Sequence, residues 1–366
     1  MLVPLPKGCC IYLVGGYLRD FFLRRRSRDI DIAIEGDFAK VFDRFREKIE
    51  GKIVKYQEFE TASIFTGDFR FDFARTRRET YPEPAALPVV EPADIGVDLK
   101  RRDFSINAIG LRLKPPPVIM LDPVNGYQDL RKRKIRVLHE KSYQDDPTRI
   151  FRTYRYARRL SFAIDRKTRL FMSRDLHFVS LLTAERIINE LRLIAWERTW
   201  LAIIRDLKNF GLTSLIFDRP IMKRGGVVKN RELFLLAHLK AGILENGSIT
   251  LSQLKSAKEV KKLERIKAEV GKASTRSRSY QILSKLEPQT VEMLGEVYPQ
   301  LRLKVRNFRR DLNLKPLITG NDLIAMGLRP SPKFKKILDR IRSLQIDRRI
   351  KSATEARLLV KQWISS

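Results

Sequence analysis

Cysteine and histidine are scarce in this sequence, and their scarcity narrows the chemistry that it can perform. The chain holds two cysteines and three histidines in 366 residues. Cys9 and Cys10 are adjacent and have no other cysteine to join, so we expect small core residues in a reducing compartment rather than a disulfide framework. The histidines are not spaced as a metal-binding pair, which makes a zinc site or a histidine-based hydrolase unexpected.

Long apolar runs are missing as well. No run reaches the roughly 18 residues that a membrane-spanning helix requires. The chain does not open on a segment of signal-peptide type. We therefore expect a soluble, cytoplasmic protein with no membrane partner.

Acidic residues are in deficit, because 43 Asp and Glu face 74 Lys and Arg and leave a formal charge of +31. Such an excess attracts polyanions, and nucleic acid is the first candidate. The alternative is an adaptation of the whole proteome, for instance to a hot or acidic habitat. The chain is long enough for two or three domains, each with its own core.

The most informative stretch is residues 11–35, IYLVGGYLRDFFLRRRSRDIDIAIE. Its end alternates polar with apolar residues, as a half-buried strand does, so Asp29 and Asp31 share one face roughly 6–7 Å apart. Carboxylates at this spacing suit Mg²⁺. Gly15 and Gly16 follow an apolar run and open a helix, where backbone N–H groups can bind a phosphate. Each half alone is more often plain turn or edge structure, but together they indicate phosphoryl or nucleotidyl transfer.

The motif GGYLRD followed by DIDI resembles the nucleotidyltransferase head of the DNA polymerase beta superfamily, as found in the class II tRNA nucleotidyltransferase and bacterial poly(A) polymerase family. The resemblance implies an α+β fold. We expect a head with a mixed sheet and helices over about residues 1–135. An all-helical neck over about 136–200 and a helical body and tail over about 201–366 would follow, and the basic body would bind the acceptor stem and elbow of tRNA.

The same resemblance implies roles for residues of the head. Asp29 and Asp31 would hold two Mg²⁺ ions. Asp72 would be a third catalytic carboxylate, although a solvent-facing strand residue is an equal alternative. The triphosphate would be bound by Gly15, Gly16 and Arg19.

Two further segments of the head resemble family motifs. Residues 75–92, RTRRETYPEPAALPVVEP, are too polar and too rich in proline for regular structure, and they resemble the flexible loop of CCA-adding and A-adding enzymes. Residues 100–109, KRRDFSINAI, are by themselves a charged surface segment. Their likeness to the RRD-then-NA motif implies that Arg102, Asp103 and Asn107 contact the incoming nucleotide.

Residues 145–162, DDPTRIFRTYRYARRLSF, predict a helix that an aspartate caps and that opens near Pro147. Arginines donate hydrogen bonds and an aspartate accepts them, so an Asp–Arg pair can match the amino donor and ring-nitrogen acceptor of adenine or cytosine. DDPTR resembles the family's EDxxR motif, an amino-acid template that selects CTP and ATP. The predicted ridge of nucleotide-binding residues, spaced every third position, is Asp146, Arg149, Arg152 and Arg155.

Beyond the template, residues 185–191, ERIINEL, resemble the family's ERxxxEL motif, which braces the nucleotide-reading helix. The alternative is an ordinary ion-paired surface helix. The later helices carry lysines and arginines on their outer faces, which suits a phosphate backbone contacted without base reading.

These motifs together predict a Mg²⁺-dependent tRNA nucleotidyltransferase that adds CCA, or only the terminal A, from CTP and ATP. A CC-adding enzyme is disfavoured because the RRETYP loop is intact. A poly(A) polymerase is disfavoured because YQEFETASI stands where those enzymes carry a basic signature. The last alternative is a degenerate RNA-binding protein, and the presence of all the metal and nucleotide residues argues against it.

Overall fold

A computed structural model describes residues 4–56, 60–217, 231–236, 238–239 and 251–365. Residues 57–59, within the YQEFETASI segment, lie outside the described ranges. The chain divides into two compact units, Met1–Ile216 and Phe217–Ser366. The expected boundaries at about 135 and 200 remain predictions.

The first unit is built on a seven-stranded sheet with the order β3-β4-β5-β2-β1-β8-β9. The β2–β5 pair is parallel and the other neighbours are antiparallel, so the predicted mixed sheet is confirmed. Its strands are β1 (Cys10–Val14), β2 (Asp29–Glu35), β3 (Lys52–Tyr56), β4 (Thr61–Phe65), β5 (Arg70–Arg75), β8 (Gly110–Lys114) and β9 (Ile119–Leu121).

Apolar side chains cover both faces of this sheet. The helix α1 (Gly15–Phe22) follows β1 directly, and α2 (Phe38–Arg46) follows β2 with Asp37 as its N-cap. The odd-numbered positions of β2, from Asp29 onward, face away from α2. The face beneath α2 is packed by Ile11, Ile32, Ile34, Val41, Phe42 and Phe73. The opposite face carries Tyr12, Val14, Ala33, Ile95 and Leu99, the last two from α3 (Ile95–Lys100).

The segment 75–92 has regular structure, so the prediction of a structureless loop is wrong. The strands β6 (Arg77–Thr80) and β7 (Val89–Pro92) pair as an antiparallel hairpin. Their register places Arg77 opposite Pro92 and Thr80 opposite Val89. Proline is tolerated here because the hairpin has only two strands, and an edge proline leaves no ladder partner unsatisfied.

The rest of the first unit is mainly helical, as expected, but one short strand pair interrupts it. The parallel strands β10 (Lys134–Ile135) and β11 (Ala163–Ile164) each contribute two residues. The helices are α4 (Gly126–Arg131), α5 (Ser142–Asp145), α6 (Thr148–Leu160), α7 (Arg166–Arg174), α8 (Ala184–Trp196), α9 (Trp200–Asn209) and α10 (Thr213–Ile216).

The regular structure of the second unit is helical within the residues that the structure describes, apart from an isolated bridge between Phe217 and Leu239. The Ser352 hydroxyl caps the last helix by accepting from the N–H of Glu355 at 3.1 Å, and the Glu355 carboxylate accepts from the N–H of Lys351 at 2.8 Å. None of the described helices is both long and apolar enough to span a membrane. The helices are α11 (Arg231–Leu236), α12 (Leu251–Lys272), α13 (Arg276–Leu283), α14 (Pro288–Val297), α15 (Arg302–Leu312), α16 (Gly320–Ala325), α17 (Pro332–Ile346) and α18 (Ala353–Ser365).

Gly126 marks a close approach of two backbone segments in the first unit. A Cβ at this position would lie 2.0 Å from the carbonyl oxygen of Ser105. The carboxylate of Asp122 accepts hydrogen bonds from the N–H groups of Gly126 (2.6 Å) and Tyr127 (3.0 Å), which fixes the start of α4. Ser105 also donates to buried Asp129 at 2.6 Å. The contact therefore holds the 3₁₀ turn Ser105–Asn107 in place.

We expect Gly126→Ala to lower the free energy of unfolding of this unit by about 1–3 kcal/mol, because the carbonyl it meets belongs to the backbone and cannot rotate away. Thermal unfolding of the whole chain measures the shift. Gly67→Ala is the matched control, since a Cβ there meets nothing within 4 Å. Equal midpoints for the two variants would contradict the argument.

Candidate active site

Where β1, α1 and β2 meet, the glycine pair contacts Asp31, one of the two predicted metal ligands. The Oδ2 atom of Asp31 accepts hydrogen bonds from the N–H of Gly16 at 2.9 Å and from that of Tyr17 at 3.3 Å. Gly15 has a φ of +66°, and a Cβ on it would stand 2.9 Å from the same oxygen. Glycine is required at this position for its backbone conformation and for the close approach.

Asp31 and Asp72 are direct neighbours across the parallel pair β2–β5, so both carboxylates lie on one face of the sheet. Burial raises the pKa of the Asp31 carboxyl, and the nearby charge of Asp72 acts in the same direction. The Asp72 carboxylate accepts from the Ser63 hydroxyl at 2.6 Å and from the Arg70 guanidinium at 2.8 Å. Its position beside Asp31 fits the predicted third carboxylate.

Asp29 lies two residues before Asp31 on the same face, and its side chain is 61% exposed. Arg70 approaches it at 3.5 Å and so bridges Asp29 and Asp72. No cluster of three or more metal-binding side chains occurs among the residues with described positions. The donors that are present are carboxylate oxygens of the kind Mg²⁺ prefers, and this ion commonly takes only one or two of them from the protein.

A second set of carboxylates binds the arginines that face this junction. Buried Asp98 accepts from Arg101 and Arg102 at 2.7–2.9 Å. Burial would raise the pKa of Asp98, but the charges of Arg102 and Arg101 outweigh it and hold this pKa below the usual range. Glu79 on the hairpin accepts from Arg77 and Arg101 at 2.7 Å. The hairpin is thus tied to α3 by ion pairs.

Asp103 connects the head to the predicted nucleotide-reading helix. Its carboxylate forms an ion pair with Arg152 of α6, with a distance of 3.0 Å from Nε to Oδ2. It also accepts from the Asn107 side chain at 2.9 Å, and Asn107 in turn accepts from Arg19 at 2.8 Å. Burial opposes ionisation, but Arg152 and the hydrogen bonds hold the pKa of Asp103 at about 2.

Asp146 lies just before α6 rather than on it, so the predicted continuous ridge is interrupted. It caps the helix by accepting from the N–H of Thr148 at 3.0 Å. Arg149 is buried, stands 3.9 Å from Asp146, and donates to the Ser142 hydroxyl at 2.7 Å. Arg186 pairs with Asp146 at 2.7 Å.

Arg155 does not join the template residues, because it turns away toward α8. Its guanidinium lies 3.4 Å from the carboxylate of Glu190, and both side chains are buried. This pair and the Arg186–Asp146 pair are direct contacts of the ERIINEL segment with α6 and its cap. They support the bracing role over that of an exposed surface helix.

Tyr156 is the common neighbour of four arginines. The guanidinium carbons of Arg19, Arg152, Arg155 and Arg159 lie 5.2–6.0 Å from the centre of its ring. Cation–π attraction of this kind is worth about 0.5–2 kcal/mol for each cation. The ring also packs edge-on against buried Phe104. Tyr156 therefore orients several of the arginines around the site.

These groups enclose a cavity of about 450 Å³, a volume typical of a small-ligand site. Its lining includes ten of the predicted residues: Gly15, Gly16, Asp31, Asp72, Arg102, Asp103, Asn107, Asp146, Arg149 and Arg152. Three predicted residues are not in this lining. Arg19 is buried against Asp20 and Asn107, and its predicted contact with the triphosphate stays a prediction. Arg155 turns to Glu190, and Asp29 stands at the open strand end.

Sequence reasoning missed several lining residues, chiefly Glu79, Tyr81, Asp98, Arg101 and Tyr156. A signal existed for Asp98, since it precedes Arg101 and Arg102 by three and four residues, the spacing of helical ion pairs. Glu79 and Tyr81 belong to the RRETYP segment, and its sequence predicts a loop rather than a strand. Tyr156 carried no signal, because it looks like one more residue of a buried stripe.

Residues 11–136 match the poly(A) polymerase head domain family. This range contains both aspartates of β2 and the RRD segment. Residues 11–136 are therefore similar to this head domain. The matched range spans nearly all of the seven-stranded sheet and the whole hairpin. The predicted resemblance is confirmed.

Relatives and solved structures agree with this resemblance. The chain is 29% identical to the A-adding tRNA nucleotidyltransferase of Geobacter sulfurreducens, over 92% of this chain and 43% of that protein. It is 29% identical to the A-adding enzyme of Halalkalibacterium halodurans, over 90% and 82%. The solved apo form II of a CCA-adding enzyme aligns with a TM-score of 0.70 at 26% identity, over 97% of this chain and 92% of that one. The chain thus spans less than half of the first relative and most of the second.

We expect the first unit to lose about 2–3 kcal/mol of stability when Asp103 is protonated in acid. The carboxyl has a pKa of about 2 when folded and about 3.9 when unfolded, so the unfolded chain binds the proton first as pH falls. The contribution is complete above about pH 4 and disappears as pH falls through about 2. Thermal unfolding of the wild type and Asp103→Asn between pH 6 and pH 2.5 measures it. The variant should be less stable at pH 6, and the difference should shrink in acid; a constant difference would contradict the assignment.

Proposed function

We propose that this protein transfers nucleotidyl groups from ATP, and from CTP if it builds the whole end, onto the 3′ end of tRNA. One observation carries the proposal: the cavity that holds Asp31 and Asp72 on one side holds Asp146, Arg149 and Arg152 on the other. A reactive phosphate and a base can therefore occupy one nucleotide site. The resemblance of the head to the poly(A) polymerase head domain supports the reaction type.

The charge of the cavity fits a nucleotide that enters with a cation. Among the described lining residues, five arginines face six carboxylates. A triphosphate that entered without a cation would therefore find no net positive charge in the cavity. Mg²⁺, for which Asp29 and Asp31 are the proposed ligands and two ions the proposed number, would neutralise the phosphates and lower the pKa of the attacking hydroxyl.

The residues of the chain bind and orient the reactants. The 3′-oxygen of the RNA forms a bond to the α-phosphorus, the bond from that phosphorus to the bridging oxygen breaks, the hydroxyl proton is lost, and pyrophosphate leaves. Arg102 is the proposed phosphate ligand, since its Nε is buried without a partner in the part of the chain that is described. Asp103 and Asn107, fixed by Arg152, would hold the ribose.

Asp146 and Arg149 are the proposed base readers. The Oδ1 atom of Asp146 is occupied by Thr148 and Arg186, while its Oδ2 has Arg149 only at 3.9 Å. Oδ2 can therefore accept from an exocyclic amine while Arg149 donates to the adjacent ring nitrogen. Adenine and cytosine share that donor–acceptor pair, whereas guanine and uracil do not.

The number of added nucleotides is tested by extension of three tRNA transcripts that end at the discriminator base, after one C, and after two C residues. CTP and ATP are offered separately and together. Extension of all three to CCA would establish a CCA-adding enzyme. Extension of only the transcript ending in CC, by one A, would establish an A-adding enzyme. If none of the three transcripts is extended, the proposal is overturned.

We expect Asp29→Ala to lower the rate of nucleotide addition about a thousandfold or more, equivalent to several kcal/mol of lost charge stabilisation in the transition state. Asp29 is exposed, and Arg70 is its one ion-pair partner among the described residues, so folding should survive. Single-turnover extension measures the rate, and tRNA affinity should be unchanged. Asp68→Ala, on an exposed turn, is the control. Substantial residual turnover would exclude Asp29 as a ligand.

A further inference from the structure

The loop 23–28, LRRRSR, joins α1 to β2 and exposes four arginines: Arg24, Arg25, Arg26 and Arg28. Its backbone is well held. The N–H of Arg25 donates to the carbonyl of Asp20 at 2.8 Å, and the N–H of Arg70 donates to the carbonyl of Arg28 at the same distance. The Ser27 hydroxyl contacts the backbone of Asp29 at 3.0 Å. The arginines are thus presented from a fixed turn.

Three of these arginines differ from those of the cavity in having no counter-charge. Arg24, Arg26 and Arg28 form no ion pair or side-chain hydrogen bond within the described ranges, whereas Arg101, Arg102 and Arg152 are each paired with a carboxylate. Arg25 donates to the carbonyl of Arg159, at the end of α6, at 3.3 Å. The loop therefore offers unpaired positive charge beside the nucleotide-reading helix.

The loop places this positive charge next to Asp29, one of the proposed metal ligands. Arg28 immediately precedes Asp29, which stands at the open end of β2 outside the nucleotide cavity. An RNA 3′-hydroxyl must reach the same carboxylates from a side that the nucleotide does not fill. Phe21, at the end of α1, is 61% exposed beside the loop, and an exposed aromatic among arginines is the arrangement on which unpaired bases stack.

We propose that loop 23–28 binds the phosphates of the single-stranded 3′ end of the acceptor RNA and leads it to Asp29. The inference rests on the proposed function and names the part of the substrate that this loop contacts. Arg24, Arg26 and Arg28 bind phosphates without reading bases, and Phe21 supports the terminal bases.

The test compares two variants that remove equal charge. Arg24→Gln/Arg26→Gln/Arg28→Gln alters the loop. Lys7→Gln/Lys48→Gln/Lys52→Gln is the control, because these three lysines are also exposed and unpaired in the described structure. Each protein is titrated by fluorescence anisotropy, without nucleotide, against a hairpin RNA with a three-nucleotide 3′ overhang and against the same hairpin with a blunt end.

The loop variant should bind the overhang RNA about tenfold or more weakly at low salt, and the slope of log affinity against log salt should fall by about two, as expected for three single-strand phosphate contacts. Its affinity for the blunt hairpin, its affinity for ATP and its thermal midpoint should match the control. The charge-preserving variant Arg24→Lys/Arg26→Lys/Arg28→Lys should retain most of the overhang binding.

Equal losses on both hairpins would assign the loop to duplex RNA and overturn the proposal. Equal losses for the loop variant and the control would reduce the effect to net charge and overturn it too. If the wild type extends tRNA while the loop variant binds overhang RNA normally, only the loop assignment fails. If the wild type shows the overhang preference but never extends tRNA, only the proposed function fails.

Discussion

The ion pair between Asp103 and Arg152 is the contact on which the candidate site depends most. It joins the turn that follows α3 to the middle of α6. The distance between the proposed phosphate-binding side and the proposed base-binding side of the cavity is therefore fixed. The pair is supported from both ends. Asn107 and Arg19 extend it into the head, and the Tyr156 ring lies against both Arg19 and Arg152. A buried carboxylate with this many donors is held ionised, as its low pKa shows.

Charge is distributed unequally across the first unit. In the cavity, carboxylates such as Asp98 and Glu79 neutralise the arginines, which keeps the guanidinium groups in fixed orientations. A site of this kind discriminates by geometry, because its electrostatic attraction for any anion is weak. The loop 23–28 keeps its charge unpaired and attracts a polyanion without selecting its sequence. In this proposal the cavity selects the nucleotide, and loop 23–28 binds the RNA.

Much of the fold could be predicted because local patterns agreed with the final structure. The alternation of Asp29 to Ile34, the glycine pair and the Asp37 cap each specify their element within a few residues. The hairpin 77–92 could not be predicted. Its strands are short and rich in charge and proline, and its ion pair from Glu79 to Arg101 crosses 22 residues of sequence. Neither propensity nor periodicity reports a contact of that range.

The sequence by itself determined which residue types stand ready for nucleotidyl transfer: two carboxylates on one strand face, glycines before a helix, and an aspartate three residues before an arginine. Only the tertiary structure decided which of them share a cavity. Arg19 and Arg155 have the spacing of ligand-binding residues, yet both are buried and donate to Asn107 and Glu190 of the protein itself. The reason is physical: a buried guanidinium must find its acceptors wherever packing places them, and packing is not encoded in spacing along the chain.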